Sequence, residues 1–324
     1  MKPLLPLLAL SASLFACGSA LAQSPAANWP AKPVRIVIPF TAGGPLDALT
    51  RAYTEPMAKK FGQIFLIDNK PGAGGNIGTD QVAKSPADGY TLLFTTTAIT
   101  ISPSYYKSLP YNVEKDLAPI SLVCLSATVL GAGNKFPGNN VADLIKLAKA
   151  NPGKITFGSS GVGTTNHLSG ELLKSVAGID ILHVPFGGAA AALTSMVGGQ
   201  TDLIFASSVE LASRIKAGQI KGLAVTNAQR SPALPDLPTI AETVPGYEST
   251  IWYGLFAPAA TNKDIIAKLS AELVPQVNNP EVKAKFDSFG TILMVSRPEV
   301  LATKVRDEIA KWRKVIQTAG IVPE

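Results

Sequence analysis

Short runs of β-branched and aliphatic residues alternate along this chain with longer stretches in which apolar positions recur every three to four residues. The short runs lie at 34–39, 64–68, 90–95, 155–158, 181–184, 203–205 and 222–225, and each predicts a buried strand. The helical period predicts helices at 46–61, 141–150, 167–176, 189–197 and 208–217. Gly178 and Gly218 stand just past two of these, where a left-handed C-terminal residue is common. The segment 227–247 is rich in proline and keeps neither period, so it reads as an irregular connection. A strand at 251–258 and helices at 263–274, 280–288 and 298–319 follow. Such alternation predicts an α/β protein with a mainly parallel sheet. The block 125–226 builds strand–helix units of its own and interrupts a set that resumes after it. The expected organisation is therefore a first lobe begun by 23–124, a second lobe at 125–226, and a return to the first lobe over 227–324, with a ligand cleft between.

Composition narrows the setting. Of 324 residues, 46% are hydrophobic and 16% charged, the latter below the roughly 25% of an average soluble domain. Lys2, the apolar stretch 4–15 and Ala20-Leu21-Ala22 have the layout of a signal peptide over 1–22, with cleavage before Gln23 and export to the periplasm. Cys17 follows Leu14-Phe15-Ala16, and the bulky Phe15 weighs against a lipid anchor there. Cleavage leaves Cys124 alone, so no internal disulfide is expected, and loss of Lys2 takes the formal charge from +6 to +5. Basic residues are scattered rather than blocked with aromatics, which argues against nucleic acid. No second apolar run reaches ~18 residues, so the mature chain is expected to be soluble.

The search for catalytic chemistry returns near misses. A nucleophile elbow fails because Val162 stands where glycine is needed, and no G-K-[ST] follows a glycine turn. PGAGGNIG (71–78) has Ile77 in the place of a third dinucleotide-loop glycine. Ser213-Arg-Ile-Lys216 matches SxxK by letters alone, without its companion motifs. His167 and His183 have no zinc-type spacing around them, and His183 reads as a core or cleft histidine, so neither metal nor cofactor is expected. What remains is two glycine-rich strand-to-helix loops, IVIPFTAGGPLD (36–47) and FGSSGVGTTNH (157–167), at strand ends where α/β folds hold ligands. Each alone could be only a well-capped helix start. Together, Ser159, Ser160, Thr164 and Thr165 supply hydroxyls, Gly161 and Gly163 admit close backbone approach, and a helix dipole adds roughly 0.3–1 kcal/mol for an anion. Neither loop contains Arg or Lys, so an anion there would be held by dipoles.

The strings VRIVIPFTAGGPLDALTR, IDNKPGAGGNIGTDQVAKSPADGYTLLF, FGSSGVGTTNHLSGELL, ILHVPFGGAAAALTSMVGGQTDLIF and IKGLAVTNAQRSPALPDLPTIAE closely resemble the substrate-binding receptors of tripartite tricarboxylate transporters, the Bug family. The likeness runs from about Trp29 to the C-terminus. It implies a two-lobed periplasmic-binding-protein fold, type II-like, with two crossover segments around a central cleft. It further implies a monomer that binds a small carboxylate and delivers it to two integral membrane subunits. Carried over by position, the first pocket loop is Phe40, Thr41, Ala42, Gly43 and Gly44, with Asp47 at the helix start. The second is Gly158, Ser159, Ser160, Gly161, Val162 and Gly163, with Thr164 and His167. Ala206 and Ser207 complete the candidate set at the end of a later strand.

Two departures bear on the ligand. Pro45-Leu46 replaces the Gly-Ser/Thr that the family carries before its aspartate, and Ala206-Ser207-Ser208 stands where relatives often place an acid. Both favour an amine-free, bulkier or aromatic mono- or dicarboxylate. The rival readings are a periplasmic sensor for a membrane signalling partner, and a hydrolase using Ser159 or Ser160 with His167.

Overall fold

The computed structural model describes residues 26–323 other than Gly44 and Phe289. The leader expected at 1–22, Cys17, the cleavage point before Gln23 and the candidate ligand residue Gly44 lie outside the described residues. The chain forms β1 (Val34–Ile38), α1 (Pro45–Phe61), β2 (Phe65–Asn69), α2 (Asn76–Ala83), β3 (Thr91–Thr96), α3 (Ala98–Tyr105), α4 (Val113–Asp116) and β4 (Leu117–Ala132). It continues through α5 (Val141–Ala150), β5 (Thr156–Ser159), α6 (Thr165–Ala177), β6 (Leu182–Pro185), α7 (Ala189–Val197), β7 (Leu203–Ser207), α8 (Ser208–Lys216) and β8 (Lys221–Val225). The last quarter holds β9 (Thr250–Pro258), α9 (Lys263–Val277), α10 (Pro280–Ser288), β10 (Thr291–Leu293) and α11 (Pro298–Thr318).

The strands run β2-β1-β3-β9-β4-β7-β5-β6, with β8 and β10 also paired to β4. β1 is parallel to β2 and β3, and β5 is parallel to β6 and β7. Where these two parallel sets meet, β9 and β4 run antiparallel to their neighbours, so the sheet is mixed rather than mainly parallel. β4 belongs to both halves: positions 117–127 pair with β9, while 128–132 pair with β7 and β8. Its sequence, LAPISLVCLSATVLGA, is almost wholly buried and therefore shows no alternation to mark it as a strand.

Separate cores support the two halves. Val34, Ile36, Leu49, Phe94, Leu255 and Phe286 pack in the first; Leu130, Phe157, Leu168, Leu203 and Trp312 pack in the second. α11 reaches both, with Leu301, Val305 and Ile309 against Val37, Leu93 and Phe256, and Trp312, Val315 and Ile316 in the second core. Midway, the buried Glu308 accepts hydrogen bonds from Trp252 Nε1 (3.1 Å) and Trp312 Nε1 (3.0 Å). The chain passes between halves along β4 and again between β8 and β9. There Thr226 N donates to Thr128 O (2.9 Å) and Ser249 N to Thr226 O (2.9 Å).

Candidate functional site

The loop after β1 is held by α1. Asp47, in the first helical turn, accepts from Gly43 N (3.3 Å) and, through both oxygens, from Arg51 (3.0 and 3.1 Å). Those bonds hold its carboxyl below the usual range, Arg51 contributing most, and leave it buried. Asn69 Nδ2 donates to Phe40 O (3.1 Å) and fixes the same loop from β2. Phe40 and Thr41 therefore face a cavity, whereas Ala42, Gly43 and Asp47 do not line it.

The loop from β5 to α6 is more tightly built. Gly161 (φ 134°) and Gly163 (φ 74°) take backbone conformations that suit glycine, and a Cβ on Gly163 would meet the Tyr105 ring at 2.6 Å. Thr164 caps α6: its Oγ1 accepts from His167 N (3.3 Å) and donates to Gly161 O (2.7 Å). This cap does not use the first-turn amides of Thr165 and Asn166, which have no intrahelical partner. Ser160, Val162, Gly163 and Thr164 line the cavity; Gly158, Ser159, Gly161 and His167 stand behind it.

The residues behind the loop form a polar brace. His167 Nδ1 accepts from Gly163 N (3.1 Å), and its ring stacks on His183 with centroids 3.8 Å apart. Ser159 Oγ lies 2.7 Å from His183 Nε2. The sequence-based hydrolase reading paired a serine with His167, but the serine–histidine contact is made with His183 instead. Ser159 is fully buried, and Ser160 Oγ accepts from Asn166 rather than touching a histidine. Burial pushes His167 down to about 3 and His183 to about 4, so both rings are neutral near neutral pH.

β7 leads into α8 at Ser207, which lines the cavity, while Ala206 sits in the apolar core with Val129, Ile204 and Leu211. The expectation that Ala206 faces the ligand is corrected: it belongs to the core beneath the cavity wall.

The cavity between the halves has a volume of about 360 Å³, within the range of small-molecule sites. Sequence reasoning missed much of its wall. Gly74 enters from the PGAGGNIG loop, and Ile101, Ser102, Tyr105 and Tyr106 from the unpredicted α3 and its end. Ile251 and Tyr253 come from β9, and Glu210 from α8. The Ser207–Glu210 spacing was readable as a capping box, and Glu210 does accept from Ser207 N (3.1 Å) and Oγ (2.8 Å). Nothing local told that this carboxylate also lines the cavity. Among the described residues, no Lys, Arg or His lines the cavity, and there is no His/Cys/Asp/Glu cluster able to hold a metal ion.

Two α/β halves joined by crossing strands, with a cavity at strand ends and at a helix N-terminus, define a two-domain periplasmic-binding-protein fold. The chain belongs to the tripartite tricarboxylate transporter family of receptors, whose pattern it matches over residues 49–321. It is 36% identical over 292 residues (89% of this chain, 86% of the other) to the UPF0065 protein in the tcbD-tcbE intergenic region of Pseudomonas sp. (strain P51). Among solved structures it is similar to R. palustris Rpa4515 with adipate, at 36% identity and TM-score 0.81, covering 91% of this chain and 100% of that one. It is also similar to the periplasmic binding protein BugD, at 34% identity and TM-score 0.78, again covering 91% and 100%.

Proposed function

We propose that this protein is a periplasmic receptor that encloses a small carboxylate between its two lobes and, as a monomer, delivers it to the two membrane subunits of a tripartite transporter. The observation that carries this reading is a hydroxyl-lined cavity, without a cation, onto which the N-terminus of α6 opens. There the ligand carboxylate takes the first-turn amides of Thr165 and Asn166, with Ser160 and Thr164 beside it, while Phe40, Ile101, Val162 and Ile251 pack against its carbon chain. The helix dipole adds roughly 0.3–1 kcal/mol. The solved relative that holds adipate supports the ligand class.

The test is a thermal-shift and calorimetric screen of mono- and dicarboxylates on the purified mature protein. A ligand at about 100 Kd stabilises the fold by ~2.7 kcal/mol, which a melting curve resolves. The best binder is then incubated with the protein and followed by mass spectrometry, and it is expected to be recovered unchanged. No stabilisation by any acid, or steady conversion above a protein-free control, overturns the receptor reading.

A further inference from the structure

Glu210 is the one carboxylate among the described residues that line the cavity, and its surroundings make it more than a helix cap. Its Oε2 accepts from Ser207, and the half-buried Glu210 joins no ion pair among the described residues, which leaves Oε1 open to a donor from the cavity. Tyr253 on β9 also lines the cavity, and the Glu210 charge raises its hydroxyl above the usual range, behind burial and Cys124. The α6 end of the cavity also holds a buried polar atom. Asn166 is 8% exposed, its Nδ2 donates to Ser160 Oγ (3.1 Å), and its Oδ1 meets no donor. Buried acceptors of this kind are normally satisfied, and leaving one unpaired is unfavourable. The described cavity wall thus holds one half-buried carboxylate and no cation to neutralise a second ligand charge.

We infer that Glu210 makes this receptor selective for a carboxylate that carries a hydrogen-bond donor, an amino or hydroxyl group, at its far end, and selects against dicarboxylate dianions. The inference rests on the carboxylate-receptor reading above. It also reverses the amine-free preference argued from the acid missing at 206–208, because the acid enters from the next helix turn instead. One ligand carboxylate lies at the α6 N-terminus. The opposite end then faces Glu210 Oε1, where a second carboxylate about 5 Å away at an effective dielectric of about 20 would weaken binding by roughly hundredfold. An N–H or O–H at that end instead satisfies Oε1.

Calorimetry on matched acids tests this: succinate against 4-aminobutanoate and 4-hydroxybutanoate, and adipate against 6-aminohexanoate. Wild type is expected to prefer the donor-bearing acid of each set by at least about tenfold, a difference of ~1.4 kcal/mol. Glu210→Gln keeps an acceptor for Ser207, and with it the capping box, but removes the charge. In that variant the preference is expected to vanish as the dicarboxylates tighten. A ratio between matched acids that Glu210→Gln leaves unchanged overturns the inference, whichever acid wild type prefers. So does a wild-type preference for the dicarboxylate. Both of those results leave the receptor reading intact, whereas binding of no acid in this set or in the wider screen overturns both.

Discussion

His167, buried, and His183, half-buried, are stacked directly behind the loop from β5 to α6, where neither can accept a proton without loss. Protonating His167 Nδ1 would remove the acceptor for Gly163 N and place a cation beside the second ring and Lys174. In the unfolded chain both titrate near 6.5, whereas in the fold they stand at about 3 and about 4. The unfolded state therefore binds more protons over that interval, and stability falls as pH falls. The contribution is complete above about pH 6.5 and erodes below it. For His167, 4% exposed, the loss is about 1.4 kcal/mol per pH unit, or about 2 kcal/mol by about pH 5. Urea unfolding at about pH 7.5 and about pH 5 checks this. His183→Phe keeps a ring in the stack but cannot charge, so its unfolding free energy should depend less steeply on pH than that of wild type. Equal slopes in the two proteins would show that this pair does not set the acid sensitivity.

α11 packs into both halves, and its buried Glu308 is a polar node between them. Glu308→Ala removes the common acceptor of two indole N–H groups, Trp252 on β9 and Trp312 on α11 itself. Each buried donor left without a partner is worth about 1–3 kcal/mol, so a loss of about 2–6 kcal/mol is expected in chemical denaturation, and a smaller one for Glu308→Gln, which keeps an amide oxygen. A loss under about 1 kcal/mol would mean that water replaces the carboxylate and that the node is not structural. The same elements show what the sequence could and could not reveal. The two glycine loops were readable because glycine, hydroxyl and strand end coincide within a dozen residues. α3 was not: Ile99, Thr100, Ile101 and Pro103 have poor helix propensity, and burial of the helix against α11 overrides it. Asp47 and Ala206 sit at the right sequence positions but point elsewhere, Asp47 to Arg51 and Gly43, Ala206 to the core. Glu210, Gly74 and Tyr253 meet across the cavity only through the sheet order, which no local pattern carries.

The arrangement of the whole chain has its own consequence. The cavity takes Phe40, Thr41, Tyr105 and Tyr253 from one half and Ser160, Thr164, Ser207 and Glu210 from the other, so a ligand bonded to both favours the state in which they approach. The chain crosses between the halves along β4 and at Thr226–Ser249, and these crossings, with α11 laid across them, are the places where a rotation can be absorbed. Closure would exclude water, strengthening every polar contact inside. Small-angle scattering with and without a saturating carboxylate found in the screen should therefore record a smaller radius of gyration in the bound form. Gly163→Leu, which drives a side chain into the space of the Tyr105 ring across the cleft, should bind weakly and hold the larger radius at the same ligand concentration. If the wild-type radius stays constant at saturation, the ligand enters a cleft that is already closed, and the energy of binding is not coupled to lobe motion.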